Sequence, residues 1–154
     1  MKQYKLGCDL VEVERFQRVV DRYGDLFLDR VFTPEERAYC EQRKAAFRVQ
    51  SYAARWAAKE AIAKALGTGI GGKKGPDWRE IAVRANEAGE PTVFFSGKAI
   101  ELVKAIKLED VTLSMSHERK MALATCLLVC KASDDEGEGA ERQADGGEKE
   151  SQLP

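Results

Sequence analysis

The first dozen residues carry an apolar pattern typical of a β-strand, and one acid lies inside it. Residues 7–16 read G-C-D-L-V-E-V-E-R-F, and the apolar side chains around Asp9 belong to Leu6, Cys8, Leu10, Val11 and Val13. An ionised carboxylate removed from water costs several kcal/mol unless a partner compensates it. The sequence therefore predicts a base or a metal ion next to Asp9.

Two helices are predicted after this strand. Apolar residues at helical spacing predict the first, which should end at Gly24; they are Phe16, Val19, Val20 and Tyr23. The second helix opens at Thr33, where Pro34 and Glu36 complete a capping box.

The rest of the pattern predicts a long helix, a hairpin, a short helix and two strands. The long helix, residues 48–66, is rich in alanine, which lets neighbouring elements approach its axis closely, and Gly67 closes it. The hairpin centres on residues 86–91, and the last strands cover residues 111–130 with a connection too tight for a crossover. The expected fold class is α+β, a mainly antiparallel sheet packed against helices.

Composition divides the chain into a basic body and an acidic tail. The 154 residues are 44% hydrophobic and 33% charged, with a net charge of −1. Residues 1–131 form one expected domain with 23 bases and 18 acids, and residues 132–154 hold eight acids and two bases. We expect the tail to be disordered and the body, at +5, to favour an anionic partner.

Composition also limits location and metal chemistry. The sequence shows neither a membrane-spanning stretch nor a secretory leader, so we expect a cytoplasmic protein without a membrane partner. The single histidine cannot complete a Cys/His zinc set with the four cysteines. We therefore expect buried, reduced thiols at Cys8, Cys40, Cys126 and Cys130.

The loop G-T-G-I-G-G-K-K-G-P at 67–76 matches two nucleotide-binding patterns in sequence but not in its predicted structural context. Both patterns need a preceding strand and a following helix, whereas this loop follows a helix. Position 74 is lysine where a phosphate loop needs serine or threonine for Mg²⁺. A flexible helix C-cap is the simpler interpretation; the other is a backbone-lined phosphate site assisted by Lys64, Lys73 or Lys74.

Charged pairs on the long helix each have two interpretations. Glu60 and Lys64 are spaced i, i+4, as in an exposed ion pair, but Trp56 shares the face of Glu60 and indicates packed surroundings. Arg55 and Lys59 place two like charges at the same spacing, which is unfavourable in an isolated helix and hints at a nearby anion.

The arginines of the first helix and the only histidine are also open to more than one interpretation. Arg15, Arg18 and Arg22 lie along one helix face, either solvated or docking an acidic protein; no aromatic platform for nucleic acid accompanies them. His117 could be exposed, structural or catalytic.

Two carboxylates, several bases near a glycine loop and one histidine favour a Mg²⁺-dependent phosphoryl-transfer site.

Three blocks together resemble the holo-[acyl-carrier-protein] synthases, the small bacterial class of 4′-phosphopantetheinyl transferases. They are residues 7–16, R-W-A-A-K-E-A-I-A-K-A-L-G-T-G at 55–69 and S-M-S-H-E at 114–118. The resemblance covers residues 3–130. It implies a 4′-phosphopantetheinyl transferase-like fold and transfer of 4′-phosphopantetheine from coenzyme A to a serine of apo acyl carrier protein, in fatty acid biosynthesis.

The resemblance also implies residue roles. Asp9 and Glu60 would hold Mg²⁺, and Arg15 would meet the carrier protein, with Arg18 and Arg22 extending that docking stripe by periodicity alone. The implied coenzyme A contacts are Arg55, Lys64, Gly67, Thr68, Gly69, Ser116 and His117. The family forms homotrimers with active sites between neighbouring chains.

Several alternatives stay open in the sequence. The general base could be Glu60, a metal-bound water or His117, and the working ion could be Mg²⁺ or Mn²⁺. The segment K-K-G-P at 73–76 departs from the family, as does Trp56, which stands where phenylalanine is usual. The rival function is a non-enzymatic basic module that binds an acidic protein or nucleic acid.

Overall fold

A computed structural model of the chain describes residues 1–132, except the side chain of Ala46. These residues form β1 (Lys2–Glu12), α1 (Val13–Val31), α2 (Pro34–Glu41), α3 (Ala45–Leu66), β2 (Ile81–Ala85), β3 (Pro91–Phe95), α4 (Gly97–Ala105), β4 (Leu108–His117) and β5 (Met121–Lys131). The predicted acidic tail lies outside the described residues, apart from Ala132. Within residues 1–132, the helices are too short or too polar to cross a membrane.

Two antiparallel sheets confirm the α+β prediction. The larger sheet has the order β1-β5-β4, and β2 and β3 form the predicted hairpin. Since side chains alternate across a strand, each face of the larger sheet has its own set of residues. One face is covered by α3, which packs against all three strands. The opposite face leaves apolar side chains exposed, at Tyr4, Leu6, Leu10 and Leu123.

The contact between α3 and β1 is unusually close. Ala57, Ala58 and Ala61 of α3 are fully buried. A Cβ atom built on Gly7 of β1 would lie 1.9 Å from the backbone oxygen of Ala61. Alanine on the helix and glycine on the strand therefore let the two backbones touch, as the alanine-rich sequence predicts.

Helix boundaries largely follow the predictions, although α3 begins at Ala45 and not at residue 48. The capping box at Thr33 is confirmed, because its Oγ1 accepts from the Glu36 amide and its own amide donates to the Glu36 carboxylate. The predicted stop at Gly24 is confirmed as a break in the helix, and a second helical segment that was not predicted follows it. Gly24 adopts φ 53° and ψ −136°, which kinks the chain, but the helix resumes and ends at Val31. It resumes because Leu28 and Val31 continue the apolar face into the core.

The cysteines confirm the prediction of free thiols and correct the prediction of burial. All four are unpaired. Burial raises the pKa of the Cys40 and Cys126 thiols to about 12, so they are poor nucleophiles at neutral pH. Cys8 is exposed, because its side chain belongs to the face of the sheet opposite α3.

Candidate active site

A lysine from α3 balances the carboxylate of Asp9 in the chain itself. The Lys64 ammonium donates to Asp9 Oδ1 over 2.7 Å and to the Cys8 carbonyl over 3.1 Å. This hydrogen bond raises the pKa of Lys64. The i, i+4 spacing had suggested a pair between Glu60 and Lys64, but Lys64 instead reaches across to the strand.

Glu60 lies half-buried beside the same pair without a hydrogen-bonded cation of its own among the described residues. Burial raises the pKa of Glu60, and the negative charge of Asp9 raises it further. Lys64 opposes both effects. Two carboxylates therefore share one ammonium.

Asp9 and Glu60 open into a cavity that we call the acidic cleft. Its volume is about 450 Å³, and its charged lining comes from Asp9, Glu12, Arg15 and Glu60. Aromatic side chains of α1 and α3 form the apolar wall, including Phe16, Phe27 and Trp56. The cleft thus combines a carboxylate cluster with an apolar wall, and one arginine from α1 also lines it.

A second cavity, which we call the basic cavity, lies on the other flank of α3. Its volume is about 550 Å³, and its cationic lining consists of Arg43, Lys44, Arg55 and Arg84 together with His117. Arg55 is only 4% exposed and stacks 4.0 Å from the centre of the Tyr39 ring. Its buried Nε has no hydrogen-bond partner within the described part of the chain. A phosphate oxygen is a suitable acceptor for such a group.

The two cavities share no lining residue. Asp9 and His117 belong to the same face of the sheet but to opposite edges, since β5 separates β1 from β4. The helix α3 packs over the middle of this face. One chain therefore does not bring Arg55 and His117 together with Asp9 and Glu60.

The glycine turn follows directly on the C-terminal end of α3. Gly67 adopts φ 79°, its amide donates to the Lys64 carbonyl, and the Thr68 amide donates to Ala63. The Thr68 hydroxyl donates to the Gly69 carbonyl over 3.0 Å. The segment is a helix C-cap, as the simpler interpretation stated.

Ser116 and the two lysines of the loop lie at the surface. Ser116 is exposed at the end of β4 and alternates with His117, so it belongs to the opposite face of the sheet. Lys73 and Lys74 are exposed, and the Lys73 carbonyl accepts from the Lys98 ammonium over 2.6 Å.

The arginines of α1 are exposed, as a docking stripe requires. Arg18 pairs with Glu14 over 2.9 Å, and Arg22 stacks 5.2 Å from the centre of the Tyr23 ring. Leu26, beyond the kink at Gly24, is 84% exposed.

Sequence reasoning missed a buried ion pair between α2 and α3. Lys59 and Glu36 are both almost completely buried, and Lys59 Nζ lies 2.9 Å from Glu36 Oε2. The nearby anion suggested by the like charges at Arg55 and Lys59 is, for Lys59, this carboxylate. The available signal was the position of Lys59 among alanines that are also buried, such as Ala58.

Comparison with known proteins identifies the class to which this fold belongs. Residues 5–126 match the 4′-phosphopantetheinyl transferase superfamily, and the chain belongs to it. A holo-[acyl-carrier-protein] synthase of Ruminiclostridium cellulolyticum is 44% identical over 123 residues, which cover 80% of this chain and 90% of that protein. Another from Gloeobacter violaceus is 41% identical over 126 residues, covering 82% and 92%.

Solved structures agree with this assignment and confirm the predicted fold. The crystal structure of holo-[acyl-carrier-protein] synthase from Neisseria meningitidis matches with a TM-score of 0.71 at 34% identity, covering 80% of this chain and 96% of that one. The enzyme from Bacillus anthracis, in complex with CoA (3′,5′-ADP), matches with a TM-score of 0.67 at 31% identity, covering 82% and 96%.

The raised pKa of Glu60 leads to a stability prediction. Because the folded pKa is raised above the unfolded value, Glu60 destabilises the folded chain increasingly as the pH rises through its unfolded pKa, and the penalty is complete above its folded pKa. In metal-free buffer, Glu60→Gln should therefore raise Tm by a few degrees at pH 7. The gain should disappear as the pH falls below about 4, where Glu60 is protonated in both the folded and unfolded states.

Thermal unfolding followed by circular dichroism across this pH range measures the effect. Glu101→Gln, at an exposed carboxylate of α4, is the control and should leave Tm unchanged. An equal or lower Tm for Glu60→Gln at pH 7 contradicts the prediction.

Proposed function

We propose that the chain is a holo-[acyl-carrier-protein] synthase that moves 4′-phosphopantetheine from coenzyme A to a serine of apo acyl carrier protein, releasing adenosine 3′,5′-bisphosphate. The single observation that supports this most strongly is the paired carboxylates of Asp9 and Glu60 beside Lys64, in a chain of the phosphopantetheinyl transferase superfamily. Such a cluster suits transfer of a charged phosphoryl group, where charge neutralisation and positioning dominate the barrier. A cytoplasmic location stays a prediction.

Mg²⁺ fits the acidic cleft by its donor chemistry. No group of three or more acidic, histidine or cysteine side chains within residues 1–132 forms a complete protein cage. Mg²⁺ usually takes one or two carboxylates and fills its shell with water and substrate phosphates. Asp9 and Glu60 would hold it, and the sharing of one ammonium by these two carboxylates supports this. When bound, the ion supplies positive charge against the pyrophosphate.

The residues of this chain then have distinct tasks. Lys64, already oriented by Asp9, offers an ammonium to a phosphate oxygen beside the carboxylates. Arg55 and His117 would hold the nucleotide end of coenzyme A, with Ser116 and the turn of residues 67–69 as further contacts. The base that accepts the serine proton is Glu60, a water oriented by Glu60, or His117.

We further propose that the enzyme is a homotrimer whose active sites lie between chains. The acidic cleft and the basic cavity are separate in one chain, so a complete site needs a second chain to bring them together. The sheet face opposite α3 leaves Leu6 67% and Leu10 60% exposed, which suits burial between subunits.

A transfer assay tests the activity and its carboxylates. The chain, coenzyme A, Mg²⁺ and an apo carrier protein should give a carrier heavier by one phosphopantetheine in intact-protein mass spectrometry. Asp9→Ala and Glu60→Ala should each lower kcat about 100-fold or more, because charge neutralisation at the phosphate is lost.

The controls separate this proposal from its rival. Glu101→Ala should transfer normally, since Glu101 is an exposed acid of α4. Full transfer by both Asp9→Ala and Glu60→Ala would defeat the metal-site assignment. A wild-type chain that binds the carrier without modifying it would favour the non-enzymatic module.

Mixed trimers test whether the site lies between chains. Asp9→Ala and His117→Ala damage different cavities, so each variant should be weak alone. Refolding the two variants together should restore transfer, because some sites then combine the intact Asp9 of one chain with the intact His117 of another. The control is the sum of the two variants refolded separately. If mixing restores nothing above that sum, each site is formed within a single chain.

The exposed stripe on α1 supports docking of the acidic carrier protein through Arg15, Arg18 and Arg22. Reversing Arg15 and Arg18 to Glu should raise the KM for the carrier at least about tenfold, because attraction becomes repulsion. The KM for coenzyme A should rise much less, although Arg15 also lines the acidic cleft. Steady-state kinetics with each substrate varied measures both values.

A matched control for docking lies on the same helix. Arg30→Glu reverses an exposed arginine of α1 beyond the kink at Gly24, and it should leave both KM values unchanged. Equal increases in both KM values for the variant with Arg15 and Arg18 reversed would count against a docking role.

A further inference from the structure

The buried ion pair of Lys59 and Glu36 is a fully satisfied polar cluster, which we call the clamp. The Lys59 ammonium donates to Glu36 Oε2, to the Trp78 carbonyl over 2.9 Å and to the Ile81 carbonyl over 2.5 Å. Its three donors are thus all used. The second carboxylate oxygen of Glu36 accepts from the Val83 amide over 2.9 Å. The clamp therefore joins α2, α3 and the start of the hairpin.

Lys59, the residue of α3 that belongs to the clamp, is adjacent in sequence to Glu60, a proposed catalytic group. Successive residues of an α-helix point about 100° apart. Fixing Lys59 towards the hairpin therefore fixes the direction of Glu60, which lines the acidic cleft on a different side of the helix. Arg55 does not depend on the clamp in the same way, because it stacks on Tyr39 and donates to the Ser51 carbonyl.

A buried ion pair is a costly way to stabilise a helix contact. Well-packed apolar residues of similar volume often replace such pairs with no loss of stability, because both charges must leave water. The pair does, however, specify direction, since each of its hydrogen bonds needs a defined geometry. Orientation of α3 is thus the property that the clamp supplies and that simple packing does not.

We propose that Lys59, held by Glu36, is a positioning residue that sets the orientation of Glu60 in the acidic cleft. Lys59 has no exposed surface, so it acts through the backbone of α3 and does not touch the substrate. This inference rests on the proposed function, because it assigns a residue to the same transfer site.

The two tryptophans of the chain report on the clamp without reference to activity. Trp56 of α3 stacks on Trp78 at 4.0 Å between ring centres and 26° between planes. Trp78 is also the residue whose carbonyl accepts from Lys59. The sequence contains no other tryptophan. Near-ultraviolet circular dichroism therefore follows the relative position of α3 and the clamped segment.

The test compares Lys59→Met with the wild type in the full chain. We expect kcat for phosphopantetheine transfer to fall about 10- to 100-fold, because a displacement near 1 Å at a reacting group can cost that much. The KM for coenzyme A should stay unchanged, and the tryptophan dichroism should weaken. Lys59→Met leaves the Glu36 charge buried alone, so Lys59→Met/Glu36→Gln, which removes both charges, is the second variant.

Tyr52→Phe is the matched control. It also removes a hydrogen bond between α3 and α2, from the Tyr52 hydroxyl to Glu41 over 2.7 Å. It should leave kcat and the tryptophan dichroism unchanged.

The outcomes test the positioning role of Lys59 separately from the proposed function. An unchanged kcat in a folded clamp variant overturns the positioning role, as does a loss confined to KM or a loss of kcat equalled by Tyr52→Phe. Absence of transfer by the wild type refutes the proposed function instead. In that case the clamp is judged by the dichroism alone, and an unchanged signal in both variants overturns it.

Discussion

The close contact between β1 and α3 is the constraint on which the rest of the structure depends. A side chain on Gly7 would collide with the backbone of Ala61, so the helix lies directly against the strand. At that distance a lysine one turn further along the helix reaches Asp9, the next residue of the strand that faces α3. The ion pair of Lys64 and Asp9 is thus a consequence of backbone packing, and the acidic cleft follows from that pair and Glu60.

Carboxylates and lysines have different roles on the two flanks of α3. Lys59 and Glu36 are both buried and have every polar group satisfied, so their charges balance within the protein. Glu60 is only half-buried, lies near Asp9 and shares its one ammonium, so its carboxylate has no full partner among the described residues. A satisfied pair gives orientation, whereas an unbalanced carboxylate gives affinity for a cation.

Local signals predicted most of the fold, and long-range contacts account for what they missed. Capping at Thr33, the turn at Gly67 and the hairpin each depend on a few adjacent residues. The break at Gly24 was predicted, but the second helical segment after it was not, because it depends on burial of Leu28 and Val31 in the core. Lys64 paired with Asp9, 55 residues away, and not with Glu60 on its own helix. The sequence could place the candidate residues on elements but could not tell which flank of α3 each would occupy.

The proposed homotrimer would resolve that separation through a neighbouring chain. The acidic cleft follows the β1 edge of the sheet and His117 the β4 edge, so a single sheet cannot bring them together. A head-to-tail ring joins unlike edges of successive subunits. Three sheets closed around an axis through their exposed faces would bury Leu6 and Leu10 and set the β1 edge of one chain beside the β4 edge of the next. Assembly of the trimer would then bury the apolar face and complete the active site at the same time.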